Sequence, residues 1–358
     1  MKKPGSAANG AARCRTGLEG MSEHLPNEPQ WSWRASMSWW RVLACLLLMA
    51  AGQVPVRARE TLAGAHTNAM LRLGFSTSVF AGVNENDAKA AMKVWAQAIL
   101  KEHGLSVPAD PQVLNGEAIA TAMQNKLIDA VTLSSAEYRA LGGEFMSTNA
   151  VLGATGGRVT EEYLLLVHRD SNIGRIEDLR GRSLIFFQHP RASLAPVWFE
   201  TLLLQSGLGR TLRFCGRVIQ GGKLSQVVLP VFFHQADACV VTRRGFQTMI
   251  ELNPQVGRQL KTLLSSPAMV PFAFYFRSDY SDPVRDQIIA EIKDVHSTAA
   301  GQQVLTLFQC ENLEVRPVSV LDTALALLAT HARLSEAASH AESARTGIPL
   351  AKGETGRP

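Results

Sequence analysis

The sequence predicts an α/β protein of two similar lobes with a ligand crevice between them. Two stretches repeat one pattern, residues 127–132 and 235–242, in which Asp-Ala precedes a short apolar run that opens into polar residues. Each follows a predicted helix, and each lies downstream of an apolar strand, residues 71–75 or 183–187, that ends in a polar loop. Because ligands of open α/β sheets bind at the carboxyl ends of the strands, the repeat favours a two-lobed binder over an enzyme with one pocket.

The composition is that of a globular protein with room for two domains. The chain has 358 residues, of which 46% are hydrophobic and 19% charged, with a net charge of +5. The basic residues are scattered, and the densest spots are Arg243 with Arg244 and Arg180 with Arg182. None of these forms a basic stripe with interleaved aromatic residues, so nucleic acid is not predicted as a partner.

Residues 1–58 are interpreted as a leader that contains a signal peptide. Arg41 precedes about ten apolar residues, a length typical of signal peptides, whereas a membrane span needs about twenty. Small residues at positions 56 and 58 predict cleavage after Ala58 and export of a soluble mature protein. The alternatives are a later start, at Met21 or Met37, and an uncleaved membrane anchor.

Three cysteines remain in the predicted mature chain, at positions 215, 239 and 310. Their wide spacing matches neither a disulfide framework nor a metal motif, so no metal site and no cofactor are predicted. A single disulfide is compatible with export, but the sequence does not choose a pair. Cys239 lies in a predicted buried strand and is interpreted as a small core residue.

Lobe one is assigned to residues 70–162 and 272–341. After strand 71–75, apolar residues at three- and four-residue spacing predict a helix from about 86 to 103. Asn84 or Asn86 can cap its start. A second helix is predicted over 116–126. Towards the C-terminus, the patterns predict a return strand at 269–276 and helices over 282–301, 302–310 and 319–341, followed by a disordered tail over 342–358.

Lobe two is assigned to residues 163–271. The continuous apolar run 163–168 predicts a strand buried on both faces. A helix is predicted over 193–206, with Ser193 as its N-cap and Pro196 in the first turn.

The segment from Tyr163 to Gly181, an apolar strand followed by Asp-Ser and then Asp-Leu-Arg-Gly ahead of the next strand, resembles the lobe-crossing segment of periplasmic solute-binding proteins. The match is to the phosphonate/phosphate-binding branch, which serves ABC transporters, and covers about residues 70–330. The resemblance implies a periplasmic-binding-protein clamshell of type II. Each lobe is then a mixed sheet flanked by helices, with two crossing strands as the hinge. It also implies a periplasmic location, an ABC permease as partner and a monomer.

Seven residues are candidates for ligand binding. Ser76, Thr77 and Ser78 follow the first strand, so we expect their hydroxyl and N–H groups to face the crevice; the alternative is that they cap a turn. Phosphonate binders of the family commonly have a Ser-Thr-Ser run at the start of the second-lobe helix. This chain instead has Arg191 and Ser193, which predict an anion site with a fixed positive charge. The alternative is an ordinary helix cap with an exposed arginine.

The remaining two of the seven candidates come from the resemblance alone. It implies that Tyr138 lines the crevice from lobe one and that Lys223 stands where relatives often carry a histidine facing the ligand. The alternatives are a core aromatic residue and a surface lysine.

The predicted function is capture of a small anionic ligand, similar to phosphonate or phosphate, for an ABC transporter by hinge closure. One alternative is a periplasmic ligand-sensing module that docks on a membrane sensor protein, and a weaker one is an enzyme built on the same fold. No catalytic residues are assigned, because the sequence contains neither Gly-x-Ser-x-Gly nor His-Glu-x-x-His nor a phosphate-binding Gly-Lys-Ser/Thr loop.

Overall fold

The computed structural model describes residues 71–80, 84–102 and 109–346. The predicted leader lies outside the described residues. Across these ranges, no helix is long and apolar enough to cross a membrane.

Lobe one is built on a six-stranded mixed sheet. Its strands, in the order in which they pair, are β11 (Asn312–Pro317), β4 (Met146–Ala154), β10 (Phe272–Arg277), β3 (Ala130–Ser134), β1 (Leu71–Ser76) and β2 (Ala109–Leu114). β1 runs parallel to β2 and β3, whereas β10 runs antiparallel to β3 and β4. Apolar side chains of β3 enter two different core clusters, Ala130 in one and Val131 and Leu133 in the other, so the sheet is covered on both faces.

The helices of lobe one flank this sheet. They are α1 (Glu85–Glu102), α2 (Gly116–Gln124), α3 (Ser135–Leu141), α9 (Pro283–Glu291) and α10 (Ala299–Leu307). The predicted cap of α1 is confirmed, since the Asn84 side chain accepts from the backbone N–H groups of Asn86 and Asp87.

Lobe two is built on a five-stranded mixed sheet. Its strands, in pairing order, are β7 (Arg217–Gly221), β6 (Ser183–Phe187), β8 (Ala238–Thr242), β5 (Tyr163–His168) and β9 (Leu260–Ser265). Every residue of β5 is buried, as its continuous apolar run predicted. The flanking helices are α4 (Ala195–Gln205), α5 (Thr211–Phe214), α6 (Leu224–Phe232), α7 (Arg243–Leu252) and α8 (Pro254–Gln259). Two mixed sheets flanked by helices confirm the predicted fold class.

Two antiparallel segments, residues 155–162 and 266–271, connect the sheets. Glu161 and Met269 exchange both backbone hydrogen bonds, at 2.7 and 2.9 Å, which joins the segments side by side. The Tyr163 N–H donates to the Ser266 hydroxyl at 2.8 Å where the pair enters lobe two. The crossing is therefore a short two-stranded ribbon.

The Asp-Ala repeat has the same local structure in both lobes. In lobe one, the Asp129 carboxylate accepts from the backbone N–H of Arg72, near the start of β1. In lobe two, the Asp237 carboxylate accepts from the backbone N–H of Ser183, at the start of β6. Each aspartate therefore fastens the strand that follows it, β3 or β8, to a neighbouring parallel strand, β1 or β6.

The last helix, α11 (Asp322–Thr346), packs against α4 of lobe two as well as against α3 of lobe one. Arg210 donates to the Ser335 carbonyl at 2.9 Å and to the Ser339 hydroxyl at 2.6 Å on this helix. The helix continues past residue 342, where the disordered tail was expected to begin, and residues 347–358 lie outside the described residues.

Cys215, Cys239 and Cys310 are all free and buried. Burial raises the pKa of Cys215 to about 11.

Candidate functional site

At one end of the crevice, side chains of the two lobes contact each other directly. Residues 308–311, between α10 and β11 of lobe one, lie against the polar loop that follows β6 of lobe two. His189 Nε2 is 2.9 Å from Gln309 Oε1. The Arg244 guanidinium at the start of α7 is 3.1 Å from a Glu311 carboxylate oxygen.

Arg191 lies at the centre of these contacts, in a short 3-10 helix (Pro190–Ala192) between β6 and α4. Its guanidinium pairs with Glu161 of the crossing ribbon at 2.8 Å and donates to the carbonyls of Phe308 and Gln309 at 3.3 and 3.0 Å. It also lies over the ring of Phe272, 5.9 Å from the centroid. Arg191 is only 8% exposed, and its Nε has no hydrogen-bond partner among the described residues. One side chain of lobe two thus contacts the ribbon and lobe one together.

The carboxyl partner of Arg191 is also buried. Burial raises the pKa of Glu161, and the charge of Arg191 opposes that shift. The charge of Arg191 therefore offsets part of the cost of burying this carboxyl group.

His189 is held in one orientation by its neighbours. Its Nδ1 accepts from the Arg191 backbone N–H at 3.2 Å, and its ring stacks on Phe187 with centroids 5.1 Å apart. Burial lowers the pKa of His189. The neutral ring with an acceptor at Nδ1 carries its proton on Nε2, which then donates to Gln309.

A cavity of about 450 Å³, which we call the charged chamber, opens on one side of His189. The start of α7 supplies Thr242 as N-cap, whose hydroxyl accepts from the Gly245 N–H at 3.0 Å. The positive end of the α7 dipole and two arginines therefore converge on one space. The chamber is lined by Glu161, Phe187, His189, Arg191, Gly222, Leu224, Thr242, Arg244, Gly245, Thr248 and Gln309.

A second cavity of about 220 Å³, which we call the neutral chamber, lies on the other side of His189. Its lining has aromatic rings, prolines, hydroxyls and carboxamides, but neither arginine, lysine, aspartate nor glutamate. The lining residues are Ser78, Phe186, Phe187, Gln188, His189, Pro190, Ala192, Ser193, Pro196 and Gln220. Phe187 and His189 line both chambers, so they form the wall between them.

The predicted serines of lobe one meet a carboxylate of their own chain. Glu137, in the first turn of α3, accepts hydrogen bonds from the hydroxyls of Ser76, Ser78 and Ser134. It also accepts from the Ser134 backbone N–H at 2.8 Å, which completes a capping box. The lobe-one helix start therefore already holds an anionic group, whereas the equivalent position of α7 in lobe two is Gly245.

The structure brings together some of the seven predicted residues but not all. Arg191 lines the charged chamber, and Ser78 and Ser193 line the neutral chamber. Lys223 is exposed between two residues of the charged-chamber lining, Gly222 and Leu224.

The other three lie apart from the chamber linings. Ser76 is buried beneath Ser78, and Thr77 is exposed beside it. Tyr138 is buried in a core cluster of lobe one, stacked on Tyr275 with centroids 4.9 Å apart, and burial raises its pKa.

Ser193 is not the N-cap of α4, and that prediction is wrong. The chain first makes the 3-10 helix Pro190–Ala192, in which the His189 side chain is the cap, and α4 begins at Ala195 with no side-chain cap bond.

Sequence reasoning missed several groups around the chambers. Glu137 had a local signal, because Ser134 followed three residues later by glutamate is the capping-box pattern. Arg244 was noted only as part of a basic pair. Glu161 and Gln309 had no local signal, since the residues that they contact are 30 to 120 positions away.

A family model described as periplasmic substrate-binding protein of phosphonate ABC transporters matches residues 77–316. No curated protein matches the chain.

Solved structures share the fold at low identity. XAC2383 from Xanthomonas citri, solved bound to ATP, is 15% identical, with a TM-score of 0.55 over 75% of this chain and 98% of its own. PA3383, a binding-protein component of an ABC phosphonate transporter from Pseudomonas aeruginosa, is 15% identical, with a TM-score of 0.51 over 75% of this chain and 89% of its own.

Proposed function

Since the chain belongs to the family of periplasmic substrate-binding proteins of phosphonate ABC transporters, we propose that it is exported, captures a small phosphonate-like anion between its lobes and delivers it to a membrane permease. The observation that carries the ligand class is the charged chamber, where two arginines and the start of α7 surround one cavity.

The charge balance of the chamber supports an anionic ligand. Arg191 and Arg244 each pair with one carboxylate, Glu161 and Glu311. The start of α7 adds a positive dipole end, which no acidic side chain of its own first turn offsets. A phosphonate oxygen placed there would gain charge-assisted hydrogen bonds without displacing a buried carboxylate.

Lobe two is the proposed anion-binding lobe. The start of α3 in lobe one is already occupied by Glu137, which accepts three serine hydroxyls. A ligand anion at that position would face a like charge, so we place the phosphonate at α7, with Lys223 on the chamber rim.

The proposed mechanism is a hinge equilibrium about the ribbon of residues 155–162 and 266–271. A ligand stabilises the closed form only through contacts that the open form lacks. Gln309 and the carbonyls that Arg191 contacts belong to lobe one, so a ligand in the charged chamber borders both lobes. The closed pair of lobes is then the surface that the permease binds.

Export through a cleavable signal peptide is part of the proposal and rests on the apolar run at residues 42–51. N-terminal sequencing of the protein recovered from the periplasm tests it. A mature N-terminus at Arg59 supports cleavage after Ala58, and an intact leader on a soluble protein contradicts it.

Ligand binding is tested by thermal unfolding of the refolded protein with phosphate, methylphosphonate, sulfonates, dicarboxylates and amino acids. At a ligand concentration one hundred times the dissociation constant, binding adds about 2.7 kcal/mol, which raises the melting temperature by several degrees. We expect the shift with phosphorus oxyanions.

The site is tested with a matched pair of arginine variants. Arg244 lines the charged chamber, whereas Arg243 does not and pairs with Glu162 at 2.7 Å. Their side chains are about equally exposed, 51% and 50%. Arg244→Gln should weaken methylphosphonate binding by roughly tenfold or more, and Arg243→Gln should leave it near the wild-type value. Equal effects of the two changes would contradict the placement of the anion.

A further inference from the structure

We propose that His189 and Gln309 form a partition that sets ligand size, confining the ligand to the charged chamber and excluding phosphonates with long substituents. This inference rests on the proposed function and adds the class of phosphonate that the crevice accepts.

The partition is defined by contacts between the lobes. The wall shared by the two chambers consists of Phe187 and His189, whose rings stack within 9° of parallel. The wall reaches lobe one through the 2.9 Å contact between His189 Nε2 and Gln309 Oε1. In this proposal the side chain of Gln309, which lines the charged chamber, completes the wall across the crevice.

Arg191 forms hydrogen bonds to both partners of this contact. The Arg191 backbone N–H donates to His189 Nδ1, which leaves Nε2 as the donor toward Gln309. The Gln309 carbonyl accepts from the Arg191 guanidinium at 3.0 Å, and its backbone has a left-handed φ of 51°. Arg191 therefore fixes the ring and the opposing residue together, and the hydrogen bond needs no further ordering when a ligand enters.

The two chambers suit different parts of a ligand. The charged chamber, about 450 Å³, is within the range of cavities that hold a whole small ligand. The neutral chamber is bordered by Phe186, Pro190 and Pro196 and would suit an alkyl or aryl substituent. With the partition closed, such a substituent cannot pass from the phosphonate position into the neutral chamber. The accepted class is therefore compact phosphonates.

The test measures dissociation constants for methylphosphonate and hexylphosphonate by titration calorimetry on the full chain. We expect the wild type to bind methylphosphonate at least tenfold more tightly. Gln309→Gly removes the amide, and glycine suits the left-handed backbone, so the variant should fold. In this variant the dissociation constant of hexylphosphonate divided by that of methylphosphonate should fall at least fivefold towards one.

A second variant and a control separate the amide contact from general effects. Gln309→Asn also tolerates the left-handed backbone but is one methylene shorter, and it should lower the ratio as the glycine variant does. Gln302→Ala, an exposed glutamine of α10 outside both chamber linings, should keep the wild-type ratio.

The outcomes distinguish this inference from the proposed function. If the wild type binds both phosphonates equally, or if its preference persists in both Gln309 variants, the partition does not set ligand size. If the wild type binds neither phosphonate, the proposed function itself fails, and the ligand class fails with it.

Discussion

At the scale of single residues, Asp129 and Asp237 hold equivalent backbone positions but differ in burial. Asp129 is 1% exposed and binds the guanidinium groups of Arg72 and Arg277, at 2.6 and 3.2 Å. The side chain of Asp237 is 32% exposed and binds Ser183 and Arg182 near solvent. The same sequence motif therefore makes a buried ionic network in one lobe and a partly solvated one in the other.

We expect replacement of these aspartates to have unequal effects. Asp129→Ala leaves the buried Arg277 without its full set of acceptors and should lower the free energy of unfolding by about 3 kcal/mol or more. Asp237→Ala should lower it by about 1 kcal/mol, because water can replace the carboxylate. Urea denaturation of the two variants measures both values, and equal losses would show that burial does not govern the difference.

Arg191 gives a prediction about pH, because its removal leaves Glu161 buried without a counterion. We expect Arg191→Ala to lower the free energy of unfolding by about 3 kcal/mol at pH 8. Loss of the guanidinium raises the pKa of Glu161 further above its unfolded value, so protonation of the folded protein relieves the penalty as the pH falls. The loss should be smaller at pH 5 than at pH 8 in urea denaturation.

The double variant Arg191→Met, Glu161→Gln is the matched control for that prediction. With no carboxylate left at position 161, the loss of unfolding free energy relative to the wild type should not become smaller at pH 5 than at pH 8. A single variant whose loss does not change between pH 5 and pH 8 would contradict the assigned role of Glu161.

At the scale of elements, the starts of α3 and α7 are equivalent helix N-termini with different partners. Ser134 and Thr242 are the N-caps, and the third helical residue is Glu137 in α3 but Gly245 in α7. A carboxylate side chain occupies the first N-terminus, whereas the second has its Thr242 cap and no acidic side chain in its first turn. This asymmetry is the physical reason for assigning the anion to lobe two.

The capping box of α3 should contribute measurably to stability. Glu137→Ala removes the acceptor of three serine hydroxyls and one backbone N–H, and should lower the free energy of unfolding by about 1 to 2 kcal/mol. Glu117→Ala, in the exposed first turn of α2, is the control, because the cap of that helix is Asn115. Similar losses in the two variants, measured by thermal unfolding, would contradict a special role for Glu137.

Strands were predictable to within a residue or two where apolar runs are continuous, as at residues 163–168 and 183–187. Helix boundaries were less predictable where the chain reverses locally. The helix predicted over 282–301 is α9, a 3-10 helix (Ile292–Ser297) and the start of α10. Thr298 caps α10, and the backbone passes so close to Gly301 that a Cβ there would lie 1.8 Å from the Val295 carbonyl oxygen. The periodicity of apolar residues does not encode such a close approach.

The candidate site was predictable only in part, for a related reason. Topology places the residues that follow β1 and β6 at the crevice, which is how Ser78, Arg191 and Ser193 were found. The groups that complete the chambers come from other elements, and only the folded chain brings them to these strand ends. The partners of Arg191 illustrate this, since Glu161 and Gln309 lie on opposite sides of it in sequence.

At the scale of the whole molecule, one of the contacts between the lobes is made by a titratable ring, that of His189. His189 Nε2 can donate to Gln309 whether or not the ring is protonated, whereas Nδ1 accepts from the Arg191 N–H only while it carries no proton. Burial lowers the pKa of His189, and the positive charge of Arg191 acts in the same direction. The hydrogen bond to Gln309 opposes this shift, so it is the burial of the ring and its Nδ1 contact that favour the neutral imidazole in the folded protein.

The sign of the pH effect follows from that lowered pKa. With its folded pKa below the unfolded value of about 6.5, His189 binds its proton more readily in the unfolded chain. Its contribution to stability is thus present above pH 6.5 and is lost as the pH falls from 6.5 through the folded pKa. His189→Gln removes this titration, so the stability difference between wild type and variant should shift against the wild type between pH 7.5 and 5.5. Urea denaturation at several pH values measures that difference, and a constant difference would show that His189 does not titrate with a lowered pKa in the folded protein.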